Sequence, residues 1–448
     1  MNFLSRLRRP GTRKAGVVAL TVAFAALLAA CGQDHPDSIF HNRTDVNRDV
    51  DYLFKLLIGA GTGVFIFVET ILIVALVKFR KRPGQPEPKH VHGNTTLEIM
   101  WTVIPALILG VIAVPTVRTI FKTQAAARAD ALQVEVYGHQ WWWEFRYPQY
   151  TMTGANGKVD TVVTANELYL PIGKTVNFTL RSRDVIHSFW VPALSGKRDV
   201  VSNHTNYLWY TPDSTTEAVF NGACVEYCGT SHANMRFKAF TVTQADFDSW
   251  IEHQKLASVD LMPPPAPVAP AAGTPAKPGA PAVTAKPATT PAMAAAAATP
   301  APVVQAGFVM FPREKMPVST VPQTPYPEKL KFDDGLLANG NAAAGEKIVN
   351  TNMCIACHTI RGNPMMQAVL GPNLTHVATR TTIGAGLYPN DAQHLARWVK
   401  NAPSMKPGII MPTFGIGEYD PVTLKGIVKT GFTDAQVSDI VAYLQTLK

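Results

Sequence analysis

Two apolar stretches constrain this chain more than any other feature. "YLFKLLIGAGTGVFIFVETILIVALVKF" (52–79) and "IMWTVIPALILGVIAVPTVRTIF" (99–121) are each longer than the roughly 20 residues a helix needs to cross a bilayer. Lys78, Arg80, Lys81, Arg82 and Lys89 lie between them, and basic loops of this kind stay on the cytoplasmic side. The spacing therefore predicts a helical hairpin whose two ends, and everything after Phe121, face outward. The net charge of +9 reflects such topology charges rather than a nucleic-acid surface, so no nucleic-acid partner is expected. Neither span contains a histidine, which leaves no axial ligands for a haem within the membrane.

Residues 1–30 have a basic start, an apolar run and the ending "LAAC", the shape of a secretory signal. That ending is similar to a bacterial lipobox, which would make Cys31 the lipidated first residue of the mature chain. The expected layout is a lipoprotein-type signal peptide (1–30), an N-terminal segment with the two spans (31–125), and a periplasmic domain over 130–260. Short alternating runs such as "LQVEVYGHQWWWEFRY" and "ELYLPIGKTVNFTL" predict an all-β, antiparallel sandwich or barrel there. A Pro/Ala-rich linker (261–330) follows. Its core, 262–303, cannot bury apolar surface and, as extended polyproline, could reach on the order of 100 Å. Residues 331–448 return to helical periodicity, with "TDAQ" at Thr433 spaced as a capping box.

The five cysteines fall as a singleton and two close pairs, which suits separate tasks better than a disulfide framework. "CIACH" (354–358) has the spacing of covalent haem c attachment: two thiols bind the haem and His358 follows as proximal ligand. A redox C-x-x-C needs no adjacent histidine, and a zinc site would want a second metal-binding pair. With "GPNLTHVATR" (371–380) and "KPGIIMPTF" (406–414), the last domain resembles class I cytochrome c. That resemblance implies an all-α fold, Cys354, Cys357, His358 and Met411 around the haem, and Pro372 behind the proximal histidine. Met405 is a second methionine nearby.

"CVEYCGTSHANM" (224–235) leaves a disulfide, a zinc site or a redox metal open. A disulfide would ignore His232, Met235 and the upstream His187. Zinc has no accessible redox change and would be odd beside a tethered haem domain. Thiolate, imidazole and thioether together suit copper, and two thiolates four residues apart can bridge two metals. The donor set thus favours a binuclear copper centre that transfers electrons.

Together with the hairpin, "GHQWWWEF" (138–145) and "RSRDVIHSFWVP" (181–192), this motif resembles subunit II of haem–copper cytochrome c oxidase, in the caa3 version with a fused cytochrome c. The resemblance implies a cupredoxin-like fold holding CuA through His187, Cys224, the Glu226 carbonyl, Cys228, His232 and Met235. It further implies a magnesium shared with subunit I through the Glu226 side chain, electron input at Trp141, and a proton path starting at Glu98. The expected role is delivery of electrons from reduced cytochrome c or another reductant, through haem c and CuA, to subunit I. There oxygen is reduced to water with proton translocation. Subunits I and III are the implied partners, and the bacterial inner membrane, crossed more than once, the implied location. The competing reading is a membrane-anchored periplasmic copper-binding, assembly or redox-sensing protein. Slight acidity in 130–260 and slight basicity in 331–448 would steer the two soluble domains together. Shortening 262–303 until they cannot meet is expected to abolish internal electron transfer; unchanged stopped-flow kinetics would contradict the tethered arrangement.

Overall fold

A computed structural model describes residues 22, 37–40, 42–86, 92–153, 159–213, 217–258, 311, 316–322, 324, 332–427 and 431–448. Apart from residue 22, the expected signal peptide lies outside the described residues, as do Cys31 and the Pro/Ala-rich 262–303.

Helix α1 (Asp45–Lys78) and helix α2 (Thr95–Gln124) are both long and apolar enough to cross a membrane. They begin earlier than the apolar runs because polar caps start them. Thr44 accepts from the Asn47 N–H, and Asn94 accepts from the N–H groups of Thr96 and Leu97. Lys122 pairs with Asp49, so the end of α2 lies beside the start of α1. That start is seated on the soluble domain: Val46, Asn47 and Asp51 are buried, Asn47 Nδ2 donates to the Pro192 and Ala193 carbonyls, and Arg48 pairs with Asp213 at 2.7 Å.

Ten strands follow: β1 (Leu132–His139), β2 (Trp142–Thr153), β3 (Val159–Ala165), β4 (Glu167–Pro171), β5 (Val176–Ser182), β6 (His187–Trp190), β7 (Arg198–Val200), β8 (Asn206–Tyr210), β9 (Ala218–Cys224) and β10 (Arg236–Val242). They form two five-stranded sheets, ordered β3-β2-β1-β5-β8 and β4-β10-β9-β6-β7. The sandwich is mixed rather than purely antiparallel, because β1 pairs with β5 and β4 with β10 in parallel. Alternating strands turn Trp143, Phe145, Phe178, Phe189 and Phe237 into one fully buried aromatic core. Helix α3 (Gln244–Lys255) closes one side with Phe247 and Trp250.

The last domain is built on α4 (Asp334–Ala338), α5 (Ala342–Thr351), the single turn α6 (Cys354–Cys357), α7 (Ala392–Met405) and α8 (Asp434–Leu444). The capping box read at Thr433 and Gln436 is present. Helices α5 and α8 cross at Gly345, where a Cβ would lie 2.0 Å from the Asp439 carbonyl oxygen, so the contact requires glycine. Two two-residue β-ladders, Thr382–Ile383 with Tyr388–Pro389 and Tyr419–Asp420 with Lys425–Gly426, interrupt the helical fold.

The two soluble domains meet along a polar seam. Glu167, buried on β4, accepts from the Thr381 N–H and hydroxyl, each at 2.6 Å. Arg361 donates to the Gln254 carbonyl, and the His253 and His376 rings lie 4.8 Å apart. His376 Nδ1 donates to the Lys448 carbonyl at 2.8 Å, while its buried Nε2 finds no partner among the described residues. Burial pushes His253 down to about 4 and His376 down to about 3, from an ordinary value of 6.5. His253 and the cations Arg361 and Arg380 add to the depression at His376. Histidines with depressed values stabilise the closed seam above pH 6.5 and lose that contribution as pH falls toward about 4 and then about 3. Glu167, whose carboxyl burial raises, acts in the opposite sense and partly offsets them. Hydrogen exchange at 250–256 and 374–380 in the full chain is therefore expected to accelerate as pH, corrected for intrinsic exchange, drops from 7 to 4. His376→Phe should flatten that profile, and a wild-type profile already flat would refute this account.

Candidate redox sites

The pairing register assembles the first site. In β6 and β9, Phe189 faces Cys224 and Trp190 faces Ala223, which carries His187 past the end of β9. The Cys224 N–H donates to the Met235 carbonyl at 3.0 Å, closing 225–235 into a loop between β9 and β10. Cys224 Sγ then lies 3.7 Å from Cys228 Sγ, 3.9 Å from His187 Nδ1 and 3.2 Å from the Glu226 carbonyl oxygen. Cys228 Sγ lies 3.6 Å from His232 Nδ1 and 3.9 Å from Met235 Sδ. Two imidazoles thus attend different sulfurs. A disulfide is excluded, because its sulfurs would be about 2.05 Å apart.

His187, Cys224, Cys228 and Met235 are buried; Glu226 and Tyr227 are exposed. The His187, Cys224 and Cys228 donor atoms lie within 4.8 Å of one another and could hold a metal. Cys228 and then His187 draw the Cys224 thiol down to about 4, against the opposing effect of burial. Beside that thiolate, Cys228 is pushed up. Burial opposes protonation of His187, but Asp184 and Cys224 outweigh it and hold its value up. Asp184 accepts from His187 Nε2 at 2.7 Å, which orients Nδ1 toward the sulfur. Soft sulfur donors, two imidazoles and a thioether fit copper.

The second site is a cleft walled by Leu374, Leu395, Val399 and Phe414. Cys354, Cys357, His358 and Met411 line it. One helical turn puts the two cysteines on the same face. His358 Nδ1 donates to the Pro372 carbonyl at 2.8 Å, leaving Nε2 as the nitrogen available for an iron. A Cβ at Gly371 would lie 2.7 Å from His358 Cε1, so glycine keeps the ring seated. Met405 is buried in α7, outside the cleft lining, whereas Met411 and Met353 both line it. An apolar cleft with paired thiols, an oriented imidazole and a thioether fits a covalent haem.

Trp141 joins the two sites. Gly138 pairs with Trp143 and His139 with Trp142, so Gln140 and Trp141 are the two turn residues between β1 and β2. Trp141 Nε1 donates to the Cys228 carbonyl at 2.9 Å, as does Gln140 Nε2 at 2.8 Å. The indole also lines the haem-type cleft and is 8% exposed. Glu98 sits in the first turn of α2, exposed, away from both sites. Sequence reasoning missed Asp184, Gln140 and Lys406. Asp184 lies three residues before His187 in a quoted motif; Lys406 opens the quoted "KPGIIMPTF", but nothing in the sequence points to its partner, which lies in the other domain.

A sulfur-rich sandwich loop beside a haem-type cleft, on two helices long and apolar enough to cross a membrane, is the layout of a membrane-anchored redox protein. Residues 42–119 match the transmembrane domain of cytochrome c oxidase subunit II, residues 132–242 its periplasmic domain, and residues 342–448 cytochrome c. The chain is 30% identical to cytochrome c oxidase subunit 2 of Bacillus sp. strain PS3, over 83% of this chain and 80% of that one. It is 29% identical to subunit 2 of Alkalihalophilus pseudofirmus, over 88% and 86%. The crystal structure of the periplasmic domain of subunit II of cytochrome oxidase of Bradyrhizobium japonicum is 29% identical, covering 29% of this chain and 97% of that one, with a TM-score of 0.25. The chain belongs to the cytochrome c oxidase subunit II family, and it carries a cytochrome c domain at its C-terminal end.

Gly229 lies against Trp141 with φ +113, and a Cβ there would come 3.0 Å from the indole and 3.1 Å from Gln140 Nε2. Gly229→Ala is expected to destabilise the chain by about 1–3 kcal/mol through backbone strain and displacement of the ring. Thermal unfolding measures this. Gly417→Ala, at φ +82 in open space, supplies the strain-only comparison.

Proposed function

We propose that this chain is the electron-receiving subunit of a respiratory terminal oxidase. In this reading the haem domain takes electrons from reduced cytochrome c or another external reductant. The copper domain hands them to subunit I, where oxygen is reduced to water with proton translocation. Cys354, Cys357, His358 and Met411 would hold haem c; His187, Cys224, the Glu226 carbonyl, Cys228, His232 and Met235 would hold binuclear CuA. When bound, these groups supply one-electron redox chemistry.

The observation that carries this reading is the placement of Trp141, whose indole N–H bonds the Cys228 carbonyl while its ring lines the haem-type cleft. The chain's own residues then hold and shield. Cys224 and Cys228 are themselves buried, as is His187, so the sulfurs are shielded from water. The carbonyl acceptors of Trp141 Nε1 and His358 Nδ1 lock those rings, and rigid surroundings limit rearrangement when charge changes.

Further roles belong to the same reading. The exposed Glu226 carboxylate would meet a magnesium shared with subunit I. Glu98 would stand at the mouth of a proton path, and subunit III would complete the assembly. Cys31 would be lipidated, and α1 and α2 would cross the bacterial inner membrane as two passes with the soluble domains in the periplasm.

Metal and haem analysis, with optical and EPR spectra of the purified full chain, tests the proposal. Two coppers with a mixed-valence signal and one low-spin haem c per chain are expected. Cys228→Ser should eliminate the two-copper signal while leaving the haem spectrum intact. A single zinc, or no metal at His187–Met235, would overturn the assignment.

A further inference from the structure

Lys406 is the C-cap of α7, and its ammonium is enclosed although no carboxylate among the described residues pairs with it. Nζ reaches across the domain seam and donates to the Trp141 carbonyl at 2.6 Å; a second bond goes to the Gly384 carbonyl of its own domain at 3.1 Å. Burial draws its value down to about 7, with Arg236 adding to the effect and Cys228 opposing it. A buried cation whose partners are only carbonyls carries a desolvation cost that those hydrogen bonds offset in part.

The next residues continue the contact. Ser231, on the copper-site loop, donates to the Pro407 carbonyl. Gly408, at φ +85, brings bare backbone to the indole: a Cβ there would meet Trp141 Cη2 at 3.0 Å and Thr230 Cβ at 3.1 Å. Gly229 approaches the same ring from the copper domain. Three residues after Gly408, Met411 lines the haem-type cleft.

We propose that Lys406 is a positioning residue for electron delivery: its ammonium clasps the main chain of Trp141 and holds the haem domain in the register that lays Gly408 on the indole. A main-chain carbonyl has no rotamer to escape by, so this bond specifies one docked position where a bridge between two flexible side chains would tolerate several. The clasp also anchors the start of the segment that ends at Met411, linking the wall of the cleft to the indole. The consequence for transfer rate rests on the proposed function above; the contact itself does not.

The full chain, haem-loaded and in detergent, tests this by oxidative footprinting of Trp141 read by mass spectrometry. Below pH 7, where the amine is protonated, loss of this charged donor in Lys406→Met should raise Trp141 labelling by roughly tenfold. Haem-to-copper transfer should slow by a similar factor, while the KM for an external donor stays unchanged. Trp141 as protected in Lys406→Met as in the wild type would overturn the proposal, as would an unaltered transfer rate in copper-loaded protein. If Lys406→Met perturbs the haem spectrum, Lys406→Arg decides, since it keeps a cation able to donate to the Trp141 carbonyl: labelling near the wild-type level supports the clasp, and labelling as high as in Lys406→Met refutes it. Absence of copper from the wild type would sink the functional reading alone, because the labelling contrast needs no copper.

Discussion

The Cys228 carbonyl accepts two hydrogen bonds from the β1–β2 turn, one from Gln140 and one from Trp141, and much of the molecule's organisation depends on that junction. The loop 225–235 carries most of the soft donors but little regular structure beyond one short 3-10 turn. Tying its middle to a two-residue hairpin turn gives it the rigidity of the sheet. Leaving such buried donors unmatched would cost about 1–3 kcal/mol each, so the loop has strong reason to remain in place. The same bond orients the indole whose far side meets the haem domain.

The seam between the soluble domains is enclosed and polar. Glu167 meets Thr381, Arg361 meets the end of α3, and Lys406 meets the β1–β2 turn. Such contacts specify a docked position more than they strengthen it, because each displaces water from groups that were already solvated. A covalent connection supplies the remainder by keeping the partners at high local concentration. Phe311 lies against Phe240, and the Thr320 carbonyl accepts from Lys238, so these two positions between the domains touch the sandwich.

Legibility in the sequence followed the range of each interaction. The apolar helices, the capping box at Thr433 and the C-x-x-C-H turn were readable because their determinants lie within a few residues. The sulfur loop was readable in composition, yet whether it held a disulfide was decided by a 3.7 Å separation that no spacing states. The antiparallel sandwich or barrel expected from alternation is a sandwich, but with two parallel pairings. Alternation reports which face is buried, and it is silent on which strand lies alongside which.

From its residues alone, this chain determined that it has two membrane-length helices, a β domain with a soft-metal loop, and a haem-attachment turn, since each follows from local periodicity and donor chemistry. Only the tertiary structure decided that His187 reaches Cys224 from 37 residues away, that Met411 rather than Met405 lines the cleft, and that Lys406 and Gly408 close on Trp141. The reason is physical: those contacts arise from strand register and from surfaces brought together across two domains, and neither leaves a periodic trace in the chain.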